Sequence, residues 1–242
     1  MAELMKIINF LDKRLDIKNM EDASNNGLQV GENKQVKKIA FAVDANLKSF
    51  KAAKKEGCDA LIVHHGVSWN DSLKRLTGLN FKRINYLMKN DLALAAYHLP
   101  LDKDDKIGHN ISLSKMLKLN DLKPFSVGYY GTLPKKVSTK KIAEFLNKKL
   151  DTKCTVYEYG NKLNSKISVI SGGAARFIES ASQFSDCYIT GEDKYGTKEI
   201  AKEMNMNFIV AGHYETETLG MKNLMPIIAK KFKVKCVFVK SK

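Results

Sequence analysis

Gly57-Cys58-Asp59-Ala60-Leu61-Ile62-Val63-His64-His65-Gly66 is the stretch on which the reading of this chain turns. A short apolar run bounded by turn-forming residues predicts a buried strand of an α/β sheet. Adjacent strand residues face opposite sides, so His64 and His65 serve one site only if the strand has broken by Gly66. On their own they read equally as one core histidine beside one exposed histidine.

Outward from this stretch, β-rich runs alternate with helical patterns, as in α/β layering with largely parallel strands. Predicted strands cover Lys38–Asp44, Asp59–His64, Leu92–Tyr97, Val127–Leu133, Thr155–Tyr159, Ile167–Ser171, Asp186–Thr190, Phe208–Ala211 and Val234–Val239. Helices are expected over Met1–Leu15, Leu47–Glu56, Asn80–Asn90, Thr139–Leu150, Ala174–Phe184, Lys194–Glu203 and Glu217–Phe232. The pattern is one unit written twice. Lys38 to Val43, a helix, and Gly57 to Val63 are answered by Lys166 to Ser171, a helix, and Phe184 to Thr190. Each copy then reaches a third strand that ends on histidine, His98 or His213, with a carboxylate four residues on, Asp102 or Glu217. Pro124 is the expected divide between the halves.

The 242 residues are 44% hydrophobic and 28% charged, enough to bury a substantial core and too apolar for extended disorder. Cys58, Cys154, Cys187 and Cys236 are widely spaced, form no C-x-x-C pair and read as free thiols. The amphipathic start lacks a signal-peptide core, and no apolar run approaches the ~18 residues of a membrane span, so a cytoplasmic location without membrane contact is expected. A net charge of +15 makes nucleic acid a candidate partner. Arginine is confined to Arg14, Arg75, Arg83 and Arg176, so any such binding should tolerate sequence. The alternative is a solvated, thermophile-like lysine surface with no partner.

In open α/β sheets ligands collect at the carboxyl ends of strands, where His64, His65, His98, Asp102, His213 and Glu217 all fall. Histidine with carboxylate suits zinc, iron, manganese or nickel, and so many ligands exceed the needs of one tetrahedral ion. Two divalent ions are the simplest accounting, about 3.5 to 4 Å apart, polarising a shared water for attack. The second copy carries Gly191-Glu192-Asp193 where the first has His64-His65, so one composite site is expected rather than two equal ones. Glu192 reads as an outer ligand, a general base, or, the favoured reading, the N-terminal charge of the next helix.

Asn26-Gly27-Leu28-Gln29-Val30-Gly31, His64-His65, His98 with Asp102, Gly191-Glu192 and Gly212-His213-Tyr214-Glu215-Thr216-Glu217 together resemble the NIF3-like family, also named GTP cyclohydrolase type 2 homologues. The resemblance implies an internally duplicated α/β fold with a dinuclear metal site in the cleft between the units, and a homohexamer built as a trimer of dimers. It implies His64, His65, Asp102, His213 and Glu217 as metal ligands, with Glu217 touching both ions, and His98 as a histidine that binds substrate or supports the ligands; the catalytic residues are open, with Glu192 and His98 as candidates. Here His98-Leu99-Pro100-Leu101-Asp102 replaces the more usual His-Thr-Asn-x-Asp. The expected domains are residues 1–125 with 205–242, and residues 126–204.

His109 reads as a helix-opening residue, with Asn110 as N-cap of a helix from Ile111. Trp69 and the loop through Asn70, Asp71 and Ser72 read as a wall of the site or as ordinary loop packing. Tyr129, Tyr130 and Tyr157 read as core aromatics more than base-stacking platforms. The favoured function is a dinuclear metal-binding protein that binds single- and double-stranded DNA through a lysine-rich oligomer surface. The alternative is a metal-dependent hydrolase of a nucleotide or related heterocycle.

Overall fold

The strand Ala60–His65 is buried throughout except at His65, as a strand covered on both faces must be. It forms the middle of a five-stranded sheet in the order Lys235–Phe238, Lys38–Asp44, Ala60–His65, Ala93–Ala96, Gly27–Val30. The first four are parallel and the last is antiparallel. The computed structural model describes residues 1–242. They divide into two compact units, Met1–Asp104 with Gly220–Lys242, and Asp105–Leu219.

In the first unit the helix Leu47–Lys55 opens on a reciprocal cap, in which the Asn46 side chain accepts from Ser49 N–H and Ser49 Oγ accepts from Asn46 N–H. Such a cap contributes ~1 kcal/mol. Phe50 and Ala53 on this helix, with Ile84 and Leu87 of the helix Gly78–Lys89, cover Leu61, Val63, Leu94 and Ala96 to make the core. That packing fixes where the strand ends lie, and so where the histidines lie.

The second unit contains a six-stranded sheet, Asn120–Phe125, Gly128–Val137, Asn164–Val169, Cys187–Thr190, Asn207–Val210, Thr155–Tyr157. Its central three strands are parallel, with Ile167 opposite Cys187 and Cys187 opposite Asn207. The duplication expected from sequence is visible in this pattern. Each unit has three parallel strands in succession and an antiparallel strand against the third. One face is closed by Ile142, Leu146 and Leu150 of the helix Thr139–Leu150. The other holds an aromatic cluster in which Tyr188 and Tyr157 stack against Phe208, and Tyr130 against Phe184. Tyr129, Tyr130 and Tyr157 are partly buried and pack against the two core clusters of this unit.

Three details differ from the sequence expectations. Pro124 does not divide the halves: it lies in the strand Asn120–Phe125, which is at the sheet edge where a residue without N–H is tolerated, opposite Tyr129. The chain crosses into the second unit at Asp105 instead, and returns at Gly220 rather than 205, because Asn207–Val210 is laddered to Cys187–Thr190. Asn110 is not a cap. Gly108 precedes the helix His109–Met116, and the buried Asn110 side chain donates to Val127 O and accepts from Ser171 N–H. His109 does open that helix. No helix is long and apolar enough to cross a membrane.

Candidate metal centre

Ladder pairing of Ala60–His65 with Ala93–Ala96 stops at Val63 opposite Ala96, whereas pairing with Lys38–Asp44 continues to His65 opposite Asp44. The strand therefore does not break before Gly66, as the sequence argument required, but its end is held on one side only. There the His64 and His65 rings come together at 4.7 Å between centroids, each turned by its own partner.

The buried His64 ring donates Nδ1–H to Tyr97 O at 2.9 Å. Tyr97 is itself fixed by a 2.7 Å bond from its hydroxyl to Asp12 Oδ1. His65 donates Nδ1–H to Asp44 Oδ1 at 2.9 Å. His98, just before the helix Leu99–Lys103, donates Nδ1–H to Asp22 Oδ1 at 2.8 Å. These partners assign the same tautomer to all three rings, with Nε2 carrying the lone pair that a metal needs. The three imidazoles can offer ligand atoms within 4.8 Å of one another. Asp102, buried on the Leu99–Lys103 helix, brings Oδ2 to 3.5 Å from His64 Nε2. Burial would raise the Asp22 carboxyl, but hydrogen bonds from His98 and Asn26 outweigh it and hold the group down to about 2. Trp69 stands edge-on to His98 at 5.0 Å and 6.2 Å from His65, so it does wall this cluster.

In the second unit His213 opens the short helix His213–Thr216, and Glu217 follows it. His213 Nε2 lies 3.1 Å from Glu217 Oε1, and its Nδ1–H donates to Glu192 Oε1 at 2.6 Å. The favoured reading of Glu192 as a helix N-terminal charge is thereby corrected. The next helix begins only at Thr197, and the carboxylate is the outer partner of His213. Burial pushes the His213 imidazole down, but Glu217 and then Glu192 outweigh it and raise the ring to about 9. Gly172, at φ +65°, lets the backbone pass where a Cβ would overlap Glu217 Oε1.

The four histidines share one feature. Each has Nδ1 held by an oxygen acceptor, the arrangement by which outer partners fix ring orientation and raise ligand basicity in metal sites. The donor set fits a divalent cation of the borderline class that imidazole and carboxylate select together. Sequence reasoning found the histidines but missed Asp44, Asp22 and the Tyr97 carbonyl. A signal existed for Glu192, which occupies the repeat position of His65.

Residues 2–242 match the family described as Duf34/NIF3 (NGG1p interacting factor 3). The chain belongs to the DUF34/NIF3 family. Its curated relatives include proteins named GTP cyclohydrolase 1 type 2 homolog from Pyrococcus abyssi, 38% identical with 99% of this chain and 98% of that protein covered, and from Pyrococcus horikoshii, 40% identical with 97% and 96% covered. Among solved structures, TTHA1606 from Thermus thermophilus superimposes with a TM-score of 0.93 at 31% identity, covering 100% of this chain and 99% of that one. Reduced HcgD from Methanocaldococcus jannaschii gives 0.87 at 28% identity, with 98% and 97% covered. Family membership accounts for the duplicated α/β fold. It leaves the reaction open, since a fold hosts many chemistries.

Proposed function

We propose that this DUF34/NIF3 protein holds two divalent metal ions, with His64, His65, Asp102, His213 and Glu217 as their ligands, and uses them to hydrolyse a nucleotide or related heterocycle. The observation that supports the reading is that His64, His65, His98 and His213 each give Nδ1–H to an oxygen acceptor, so that Nε2 is the atom each ring would offer a metal, at His213 after loss of the proton it shares with Glu217. Divalent ions held by these residues would act as Lewis acids on a water and on the oxygen of the substrate bond to be hydrolysed.

The chain's own residues do the rest. Asp44, Asp22 and Glu192 keep the rings oriented. The side chains of His65 and His98 are 21% exposed, so this face of the site is open to a substrate rather than sealed as structural metal sites are. His98, held through Nδ1 by Asp22, would exchange a proton with substrate at Nε2. The names of the Pyrococcus relatives favour a nucleotide as substrate. Elemental analysis of protein purified without added metal, then turnover of GTP and a nucleotide panel by wild type and His65→Ala, tests the reading. Metal-loaded wild type that leaves every nucleotide unchanged sinks the hydrolase.

A second reading, binding of single- and double-stranded DNA by a homohexameric trimer of dimers in the cytoplasm, rests on the +15 charge, which multiplies with each copy. Gel shifts at graded salt test the binding. Sedimentation at six times the 27.2 kDa chain mass tests the assembly.

A further inference from the structure

The motif Asn26-Gly27-Leu28-Gln29 is not among the ligands, yet it lies against both histidine-bearing strand ends of the first unit. The strand Gly27–Val30 pairs with Ala93–Ala96, but the register shifts between Leu28 and Val30, so Gln29 is the extra residue of a bulge. Bulges re-aim side chains. The Gln29 amide is directed onto the turn that follows His64-His65, where it uses its full hydrogen-bonding capacity. Oε1 accepts from Val67 N–H at 2.8 Å and Ser68 N–H at 3.1 Å. Nε2 donates to Asn25 O at 2.8 Å and Ser68 O at 3.2 Å. A Cβ on Gly66 would collide with this amide, which gives the glycine after the histidine pair its reason. Backbone bonds from Asn25 N–H to Ser68 O and from Asn70 N–H to Ala23 O lace the same segments together.

The same stretch grips the other strand end. Asn26 Oδ1 accepts from His98 N–H at 2.7 Å, and the Asn26 amide donates to Asp22 Oδ2 at 2.9 Å. Asp22 also accepts from Leu99 N–H at 2.9 Å, the first residue of the helix that carries Asp102.

We infer that Asp22–Gln29 is a positioning clamp for the metal centre, in which Gln29 sets the turn behind His64-His65 while Asp22 and Asn26 set His98 and the Asp102 helix. This rests on the proposed metal centre. Gln29 touches neither metal ligand side chains nor substrate in this role; it acts through the turn.

The test is Co²⁺ titration of the purified full chain, followed by the visible absorption band that reports coordination geometry, beside thermal unfolding of metal-free protein. Gln29→Ala should weaken Co²⁺ binding by ~10- to 100-fold and change the band, the usual loss when an outer partner of a metal ligand is removed. Gln29→Glu keeps the acceptor for the Val67 and Ser68 N–H groups but loses both donated bonds, and should be affected less. Asn207→Ala is the control. It removes a comparable buried amide network, to Asn161 O, Asn164 Oδ1 and Gly160 N–H, and should lower the unfolding temperature with the band intact. If Gln29→Ala does not fold, Gln29→Glu decides. A folded Gln29 variant with wild-type affinity and band overturns the clamp while leaving the metal centre standing. Wild type that takes up no Co²⁺ overturns the centre itself, and the clamp with it.

Discussion

Raising the pH from 7 to 9 should tighten metal binding at His213 and, in metal-free protein, weaken the fold. The ring is carried up to about 9 because Glu217 and Glu192 outweigh the cost of burial. A ring protonated at pH 7 has no Nε2 lone pair to give, so ligation must displace the proton. Each pH unit below the ring's pKa reduces apparent affinity ~10-fold, so roughly two units set an upper limit of ~100-fold between pH 7 and 9. The His213 side chain is 33% exposed, and water screens the two carboxylates, so a change of ~10- to 100-fold is expected. The folding linkage runs the other way. The native ring holds its proton more tightly than the unfolded ring, so its stabilisation is complete below the ordinary value of 6.5 and is lost as pH rises through about 9. Calorimetric titration with Co²⁺ in two buffers of different ionisation enthalpy reads both affinity and protons released. Thermal unfolding of metal-free protein over the same pH series reads the linkage. Glu192→Gln removes one charge while keeping an oxygen for Nδ1–H, and should move both midpoints to lower pH. Affinity that is flat from pH 7 to 9, or a Glu192→Gln profile superimposable on wild type, refutes the reasoning.

Asp44→Ala frees the His65 ring to rotate and should weaken metal uptake by ~10- to 100-fold, checked by the same titration, with only a small change in unfolding temperature because the carboxylate is partly exposed. Gly172→Ala forces a Cβ into Glu217 at a left-handed backbone position and should destabilise the protein by ~1–3 kcal/mol, measured by urea unfolding with and without metal. If DNA is bound through lysines, raising salt from 50 to 200 mM should reduce affinity by ~10³–10⁵ for six to ten phosphate contacts, with little dependence on sequence; a flat salt profile by fluorescence anisotropy removes the second reading.

Much of the fold was legible because its parallel strands are buried on both faces and so read as continuous apolar runs, as Ala40 to Val43 and Ala60 to Val63 do. Gly27–Val30 and Asn120–Phe125 were not, because they are antiparallel strands at sheet edges, partly exposed and carrying Gln, Asn, Lys and Pro. The site was legible to the same depth. Histidines at strand ends stand out by residue type, but their partners lie 21, 33 and 76 residues away in the chain and are brought in by the tertiary fold, which single-sequence patterns do not encode. One partner is a backbone carbonyl, which has no residue-type signature at all.

The repeat carries the remaining information once the bonds are seen. Where the first unit ends the strand Ala60–His65 on a histidine, the second unit has Glu192 just beyond the strand Cys187–Thr190. The first is a donor whose own carboxylate, Asp44, comes from the neighbouring strand; the second is a carboxylate that braces a donor, His213, arriving from the turn after the next strand. Both copies thus put a histidine–carboxylate bond across adjacent strand ends, with the roles exchanged. Exchange of roles leaves the first copy with a histidine where the second has a carboxylate. Converting Glu192 to histidine should therefore fail to build a second first-type site, since it deletes the acceptor on which His213 depends.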